Sequence, residues 1–265
     1  MRRPGGIAAV LLLASGTAAA AAPIALAPHR ATYDLSLADS GDGQTVSANG
    51  SMVFEVDDHC DAWATEQTLT INSVDRDGRQ SATKTDYATF ESKDGSALDF
   101  SMRQFDAGQP GGDLRGHAVI RPDAPGRVTF SEPARTVLSL PPGTLFPMSH
   151  TRAILQAAAD GKRSLSPILF DGTGTDGAEY TYATILDWGP GAAPPIAALA
   201  HMDQGRVHIA FFPLKGSAMT PEYEIGSRYF ANGVSDRLDM DFGDYRLRGE
   251  LRSLVLLPSA KGCRR

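Results

Sequence analysis

Between Leu140 and Gly161 the chain carries its one clear helical signal, while most of the other segments alternate apolar and polar residues. Pro147 suits a first helical turn, where its missing N–H is not needed. Thr151, Ile154, Leu155 and Ala158 then fall on one face, and the run Ala157-Ala158-Ala159 has high helix propensity. Gly161 can end the helix in a left-handed conformation, with Lys162 and Arg163 near its negative end. About three turns are marginal in isolation, so the apolar face must pack on something. The rest of the chain offers only sheet. The expected architecture is mainly β: a single long antiparallel sheet curled into a spiral or open barrel around one central α-helix at about 147–160.

The strands are read from two-residue periodicity. Ala31, Tyr33, Leu35 and Leu37 point one way, Arg30, Thr32, Asp34 and Ser36 the other. Met52, Phe54 and Val56 share a face, as do Trp63, Thr65, Gln67, Leu69 and Ile71. Asp77-Gly78 predicts a tight hairpin turn. Ser81 to Phe90 is Thr-rich and aromatic. Past the helix, Tyr180 to Leu186, Ile196 to Met202 and Arg206 to Leu214 read as strands, with Asp203-Gln204-Gly205 as a turn. In the last strand Tyr245, Leu247, Gly249 and Leu251 face in, and Arg246, Arg248, Glu250 and Arg252 face out. Twelve or more strands with short turns suggest one antiparallel sheet that must curl on itself, and a curled sheet can enclose a small ligand. Residues 23–265 therefore read as one β-spiral domain.

The chain opens Met1-Arg2-Arg3, continues with the apolar run Ile7 to Ala14, and ends that section in small residues. This order describes a secretory signal peptide over 1–22, cleaved on export, and the apolar run is too short for a bilayer span. Export would place the protein in the periplasm. The whole chain has 25 basic and 31 acidic residues, a net charge of −6; loss of Arg2 and Arg3 with the leader makes it −8. That balance argues against a general nucleic-acid surface. Two cysteines, Cys60 and Cys263, sit far apart. In an exported chain such a pair most often forms a disulfide. Redox or metal chemistry is the alternative, but there is no Cys-x-x-Cys, and only His59 adjoins either sulfur.

Chemical motifs are scarce. There is no Gly-x-Ser-x-Gly elbow, no His-Glu-x-x-His and no P-loop. Asp75-Arg76-Asp77-Gly78 starts like a calcium loop, but its glycine comes too early and no glutamate closes it. Ser149 and His150 are adjacent at the helix start, where a helix points neighbours in different directions. The loop Asp171 to Gly177, the acids Asp239, Asp241 and Asp244, and the pair His201 and His208 around the expected turn complete the inventory. Two histidines without a third ligand make a weak metal site. No catalytic residue, metal site or cofactor is assigned.

His29-Arg30-Ala31-Thr32-Tyr33, Cys60-Asp61-x-Trp63, Leu140-Pro141-x-Gly143-Thr144-Leu145-Phe146-Pro147, Asp241-Phe242-Gly243-Asp244-Tyr245-x-Leu247-x-Gly249 and Cys263 follow in order along the chain. Together they resemble the EipB family of periplasmic cell-envelope-integrity proteins from alphaproteobacteria, over essentially all of the chain after the leader. One departure is the Met148-Ser149 pair after Pro147. The resemblance implies a spiral of about fourteen strands with a helix set in its cup, a Cys60–Cys263 disulfide, and a non-catalytic role in envelope integrity. The expected partners are a lipid-like or peptide ligand in the cup, or a periplasmic protein on the outside. Phe146, His150, Ile154 and Leu155 are the candidate cup-lining residues. The alternatives are a secreted hydrolase using Ser149, His150 or the 239–244 acids, and a purely structural envelope spacer.

Overall fold

The computed structural model describes residues 24–41, 43–121, 124–191, 196–215 and 220–263; the leader expected at 1–22 lies outside them. Before the helix the strands are β1 (His29–Asp39), β2 (Thr45–His59), β3 (Ala62–Asp75), β4 (Gln80–Ser92), β5 (Ala97–Asp106), β6 (Gln109–Arg121), β7 (Ala124–Glu132), β8 (Thr136–Leu140) and β9 (Thr144–Leu145). The helix α1 spans Pro147–Ala159. After it come β10 (Ser164–Leu165), β11 (Ile168–Leu169), β12 (Glu179–Ile185), β13 (Gly189–Pro190), β14 (Asp203–Pro213), β15 (Tyr223–Phe230), β16 (Ser235–Asp241) and β17 (Arg246–Leu256).

All seventeen strands among the described residues belong to one sheet. From β1 to β8 each strand pairs antiparallel with the next. From β12 the ladder continues through β14, β15, β16 and β17. Then β17 pairs with β1, matching His29 to Leu256 and Leu37 to Leu247. The first and last strands are thus neighbours in the middle of the sheet. At its far end β9 joins β11, the one parallel pairing among the described strands. The sheet curls until β8 and β9, joined only by residues 141–143, come round towards each other, giving a nearly closed barrel-like wall.

The alternation dictates which side chains fill this wall. Ala31, Tyr33 and Leu35 of β1 and Leu247 of β17 are buried, while the arginines of β17 face water. The β5–β8 wall holds an aromatic cluster in which Phe100 meets Phe170 at 5.5 Å and Phe130 at 5.6 Å between ring centres, edge to face. On the opposite side Ile154, Ala157 and Ala158 of α1 pack against Ala183 and Ile185 of β12 and Val207, Ile209 and Phe211 of β14. Full burial of such side chains contributes about 1.5–3 kcal/mol each. This packing supplies the stability that three helical turns lack alone. Gly161 stops α1 at φ +75°, and the Lys162 N–H donates back to the Ala157 carbonyl.

Several local expectations change. Four strands (β9, β10, β11 and β13) are only two residues long, too short for periodicity to register. Residues 196–202 are not a strand: Ala197–Leu199 form a 3₁₀ turn, which an alanine-rich segment adopts when Leu199 can plug the core beside Phe230 and Val234. Residues 203–205 belong to β14 rather than to a turn. His201, exposed at φ +64°, therefore does not face His208, which lies 3.5 Å from Glu224 across β14 and β15.

Cys60 and Cys263 are bonded, their Cα atoms 5.4 Å apart across 203 residues of sequence. The bond ties the β2–β3 turn to the segment after β17, the strand that closes the sheet. The chain-entropy account assigns such a long loop roughly 5 kcal/mol, and measured values run at about 2–4 kcal/mol. Cys263→Ser is expected to lower the melting temperature by roughly 6–12 °C, and reductant should bring the parent protein to the same value. Equal melting with and without reductant would contradict a structural role for the bond.

Candidate functional site

Curling the sheet around a single short helix leaves interior space that side chains do not fill. A cavity of about 300 Å³ lies between the N-terminal half of α1 and the inner faces of β1–β4 and β14–β16. Its walls are largely apolar, with Met52, Leu69, Ile209, Ile225, Leu238 and Met240 among them. A wider hollow of about 790 Å³ lies between Phe90, Asp99, Arg115 and His117 across β4–β7. Phe90 there is exposed, and His117 and Asp99 pair at 2.7 Å while both stay more than half in water. That hollow is open to solvent. The interior cavity is where buried polar groups converge, and it is the candidate site.

The position of α1 beside the cavity depends on Glu91. The helix begins after Phe146, which supplies no side-chain cap. Its first N–H groups would be orphans in the core. The Glu91 carboxylate, reaching in from β4 and only 1% exposed, takes them. Met148 N–H donates to Oε2 at 2.7 Å, Ser149 N–H donates to Oε1 at 2.8 Å, and the Ser149 hydroxyl donates to Oε1 at 2.6 Å. A carboxylate here also meets the positive end of the helix dipole. Burial pushes the Glu91 carboxyl above its ordinary range, against the pull of these hydrogen bonds.

Two histidines face the cavity, both 4% exposed. The Thr181 hydroxyl donates its only proton to the Pro167 carbonyl at 2.8 Å, so it accepts from His150 Nε2–H at 2.9 Å. His29 Nδ1 lies 2.7 Å from the Ala27 carbonyl, which can only accept, so Nδ1 carries the proton. Burial lowers both imidazoles, His150 to about 4, so both are neutral at pH 7. Tyr33 Oη donates to the Ser235 carbonyl at 2.7 Å, and Tyr87 Oη donates to the Asp171 carbonyl. Asp171, also a cavity-lining residue, turns its carboxylate to the backbone N–H and hydroxyl of Thr173, and burial pushes it up. Gly172, at φ +77°, holds this loop against Phe100; an added Cβ would stand 2.4 Å from the ring. Nearby, burial and the charges of Asp171, Glu222 and Asp176 raise Glu179 to about 7.

The candidates from sequence are separated by this geometry. His150 lines the cavity. Phe146 is fully buried in the aromatic cluster, Ile154 packs on β12 and β14, and Leu155 is buried within 4 Å of where a Cβ on Gly233 would sit. Ser149 and His150 do not form a nucleophile and base, because the hydroxyl serves Glu91 and the ring serves Thr181. Asp239 and Asp241 lie on β16 beside Arg248 and Arg246 at 3.5 and 3.3 Å. Among the described residues no group of three or more His, Cys, Asp or Glu side chains could hold a metal ion. Sequence reasoning missed Glu91 and the role of the tyrosine hydroxyls, and it singled out Asp171 only as the start of a loop. The only hint was an acidic residue directly after an aromatic one, Phe90-Glu91, in a strand otherwise rich in threonine.

Fold and site together define a barrel-like β protein, helix-filled on one side, with a mostly apolar interior cavity. The chain belongs to the EipB-like family, whose model matches residues 20–258. It is 31% identical over 262 residues to the cell envelope integrity protein EipB of Brucella abortus (strain 2308), covering 94% of this chain and 92% of that protein. It is also similar to the crystal structure of a β-barrel-like protein, a domain of unknown function, from Brucella abortus. That likeness has a TM-score of 0.81 and 26% identity, over 89% of this chain and all of the other.

Glu91→Ala would leave two buried N–H groups and a hydroxyl without an acceptor, and is expected to cost about 3–5 kcal/mol in denaturant unfolding. Glu91→Gln keeps one acceptor and should cost less. The histidines set a pH dependence. The unfolded chain protonates His150 near its ordinary 6.5, the folded chain only near 4. The stability this group confers is therefore present above pH 6.5 and falls, by about 3 kcal/mol, as pH drops to 4. His29 acts with the same sign. Glu91, with its raised carboxyl, acts with the opposite sign above pH 4.5. Urea midpoints measured from pH 7 to 4 should fall less steeply for His150→Gln than for the parent.

Proposed function

We propose that this protein is a non-enzymatic periplasmic binding protein that helps to maintain the integrity of the bacterial cell envelope. In this reading residues 1–22 are the cleaved leader and residues 23–265 are one β-spiral domain that holds a hydrophobic, lipid-like ligand in its cavity. The observation that carries the reading is the cavity: about 300 Å³, lined mainly by apolar side chains, with a few buried polar groups at fixed positions. That volume is at the lower end of the range of small-molecule sites, ~300–1,000 Å³. The envelope role is supported by kinship with a relative named for envelope integrity. The periplasm is supported by the leader-like opening and the disulfide. No helix among the described residues is long and apolar enough to cross a membrane.

Native mass spectrometry on protein isolated from its own cells, followed by organic extraction, is expected to show a co-purifying mass of lipid size. Ser227→Trp would place an indole in the cavity and should abolish that mass. The folded variant should also fail to restore envelope resistance to cells lacking the protein. A folded Ser227→Trp protein that restores full resistance would refute a cavity-based function.

A further inference from the structure

The hydrogen-bonding pattern of the cavity says what kind of head group it takes. His150 spends its one N–H on Thr181, and His29 spends its one N–H on Ala27. The remaining nitrogens, Nδ1 of His150 and Nε2 of His29, have only a lone pair to offer. Among the described residues no fully buried side-chain nitrogen or oxygen lacks a hydrogen-bond partner. These two nitrogens, with no partner among the described residues, are therefore accessible, and both residues line the cavity, His29 also bordering a smaller space of about 80 Å³ beside Leu26 and Asn232. Tyr33 and Tyr87 spend their hydroxyl protons on the Ser235 and Asp171 carbonyls, which leaves oxygen lone pairs. Asp171 lines the wall as well, its carbonyl the acceptor for Tyr87.

Against these acceptors the described residues set no obligate side-chain donor: among them no Lys, Arg or Trp lines the cavity. The Gln67 amide and the hydroxyls of Thr65, Thr151, Ser227 and Tyr223 can turn either way. The positive end of α1 beside the cavity is already engaged by Glu91, and the nearby Arg152 cation acts on the same carboxyl and is exposed to water rather than lining the cavity. A carboxylate or phosphate head placed here would lose its water and meet lone pairs, a costly exchange.

Resting on the cavity-based reading above, we infer that the ligand is a non-anionic amphiphile: an aliphatic chain with a hydrogen-bond-donating head, a hydroxyl or an amine. Fatty-acid anions and lipid phosphates are selected against. The hydroxyl of a partial glyceride and the ammonium of a long-chain amine share the required chemistry.

The test uses the purified protein and four probes that share a twelve-carbon chain: monododecanoylglycerol, dodecylamine, dodecanoate and dodecyl phosphate. Each is titrated calorimetrically at pH 7.5, below its micelle concentration. The glyceride, the amine or both are expected to bind at least tenfold more tightly than either anion, and the stronger of the two names the head group. His29→Phe, folded by circular dichroism, should weaken the preferred probe about fivefold. Anions binding as well as or better than both donors would overturn the inference and leave the cavity-based reading standing. Binding of none of the four, with the cavity filled in a solved structure, would overturn that reading and the inference with it.

Discussion

A buried carboxylate holding the start of a helix is the constraint on which the rest of this structure depends. Glu91 and Ser149 are 58 positions apart, yet they are joined in the core by two hydrogen bonds. The helix has no acceptor of its own at this end, since Phe146 occupies the cap position and its ring belongs to the aromatic cluster. A charge from β4 takes that role. Neither partner is tenable alone: the carboxylate would be an unpaired charge in the core, and the helix would bury orphan donors. Together they fix α1 against one strand at its N-terminus, while the alanine face near its C-terminus packs on β12 and β14.

With both ends fixed, the wall cannot collapse fully onto the helix. Phe100, Phe130, Phe146 and Phe170 fill one side and α1 fills another, and the cavity is what remains between α1 and β1–β4 with β14–β16. Its polar groups are pre-set by contacts within the protein. Thr181 sets the His150 tautomer, Ala27 that of His29, and Ser235 and Asp171 the direction of two tyrosine protons. A ligand would find these groups already oriented, which reduces the ordering cost of binding.

How much of this was legible in the sequence follows from what kind of signal each part leaves. The faces of β1, β3 and β17 were readable because one side meets core and the other water, and the helix was readable from its period and its proline. Cys60 and Cys263 could be paired by compartment and number. The cavity acceptors could not be found this way. Glu91 inverts the rule that served elsewhere, because Phe90 is 46% exposed and Glu91 is buried. The inversion is stable only because a helix N-terminus, distant in sequence, waits inside. The tyrosines read simply as apolar positions, since alternation reports a side chain's direction and not its proton. Residues 196–202 differ from the strand expected there because a short, mostly apolar run following two prolines carries no period to tell a strand from a turn.

The pairing of β1 with β17 has a consequence for how the molecule comes into being. Strands β1 to β8 can zip up in sequence, each hairpin closing on its predecessor, but one side of β1 stays open until the final fifth of the chain arrives. A third of the residues lining the cavity come from that later portion. The interior is therefore assembled last, at the cost of closing a loop over most of the chain, which places the slowest step of folding at the end of the polypeptide. A nascent chain halted before residue 246 would present an aligned row of unsatisfied backbone groups along β1, ready to pair with a second chain. The molecule is thus most vulnerable to aggregation just before it is complete.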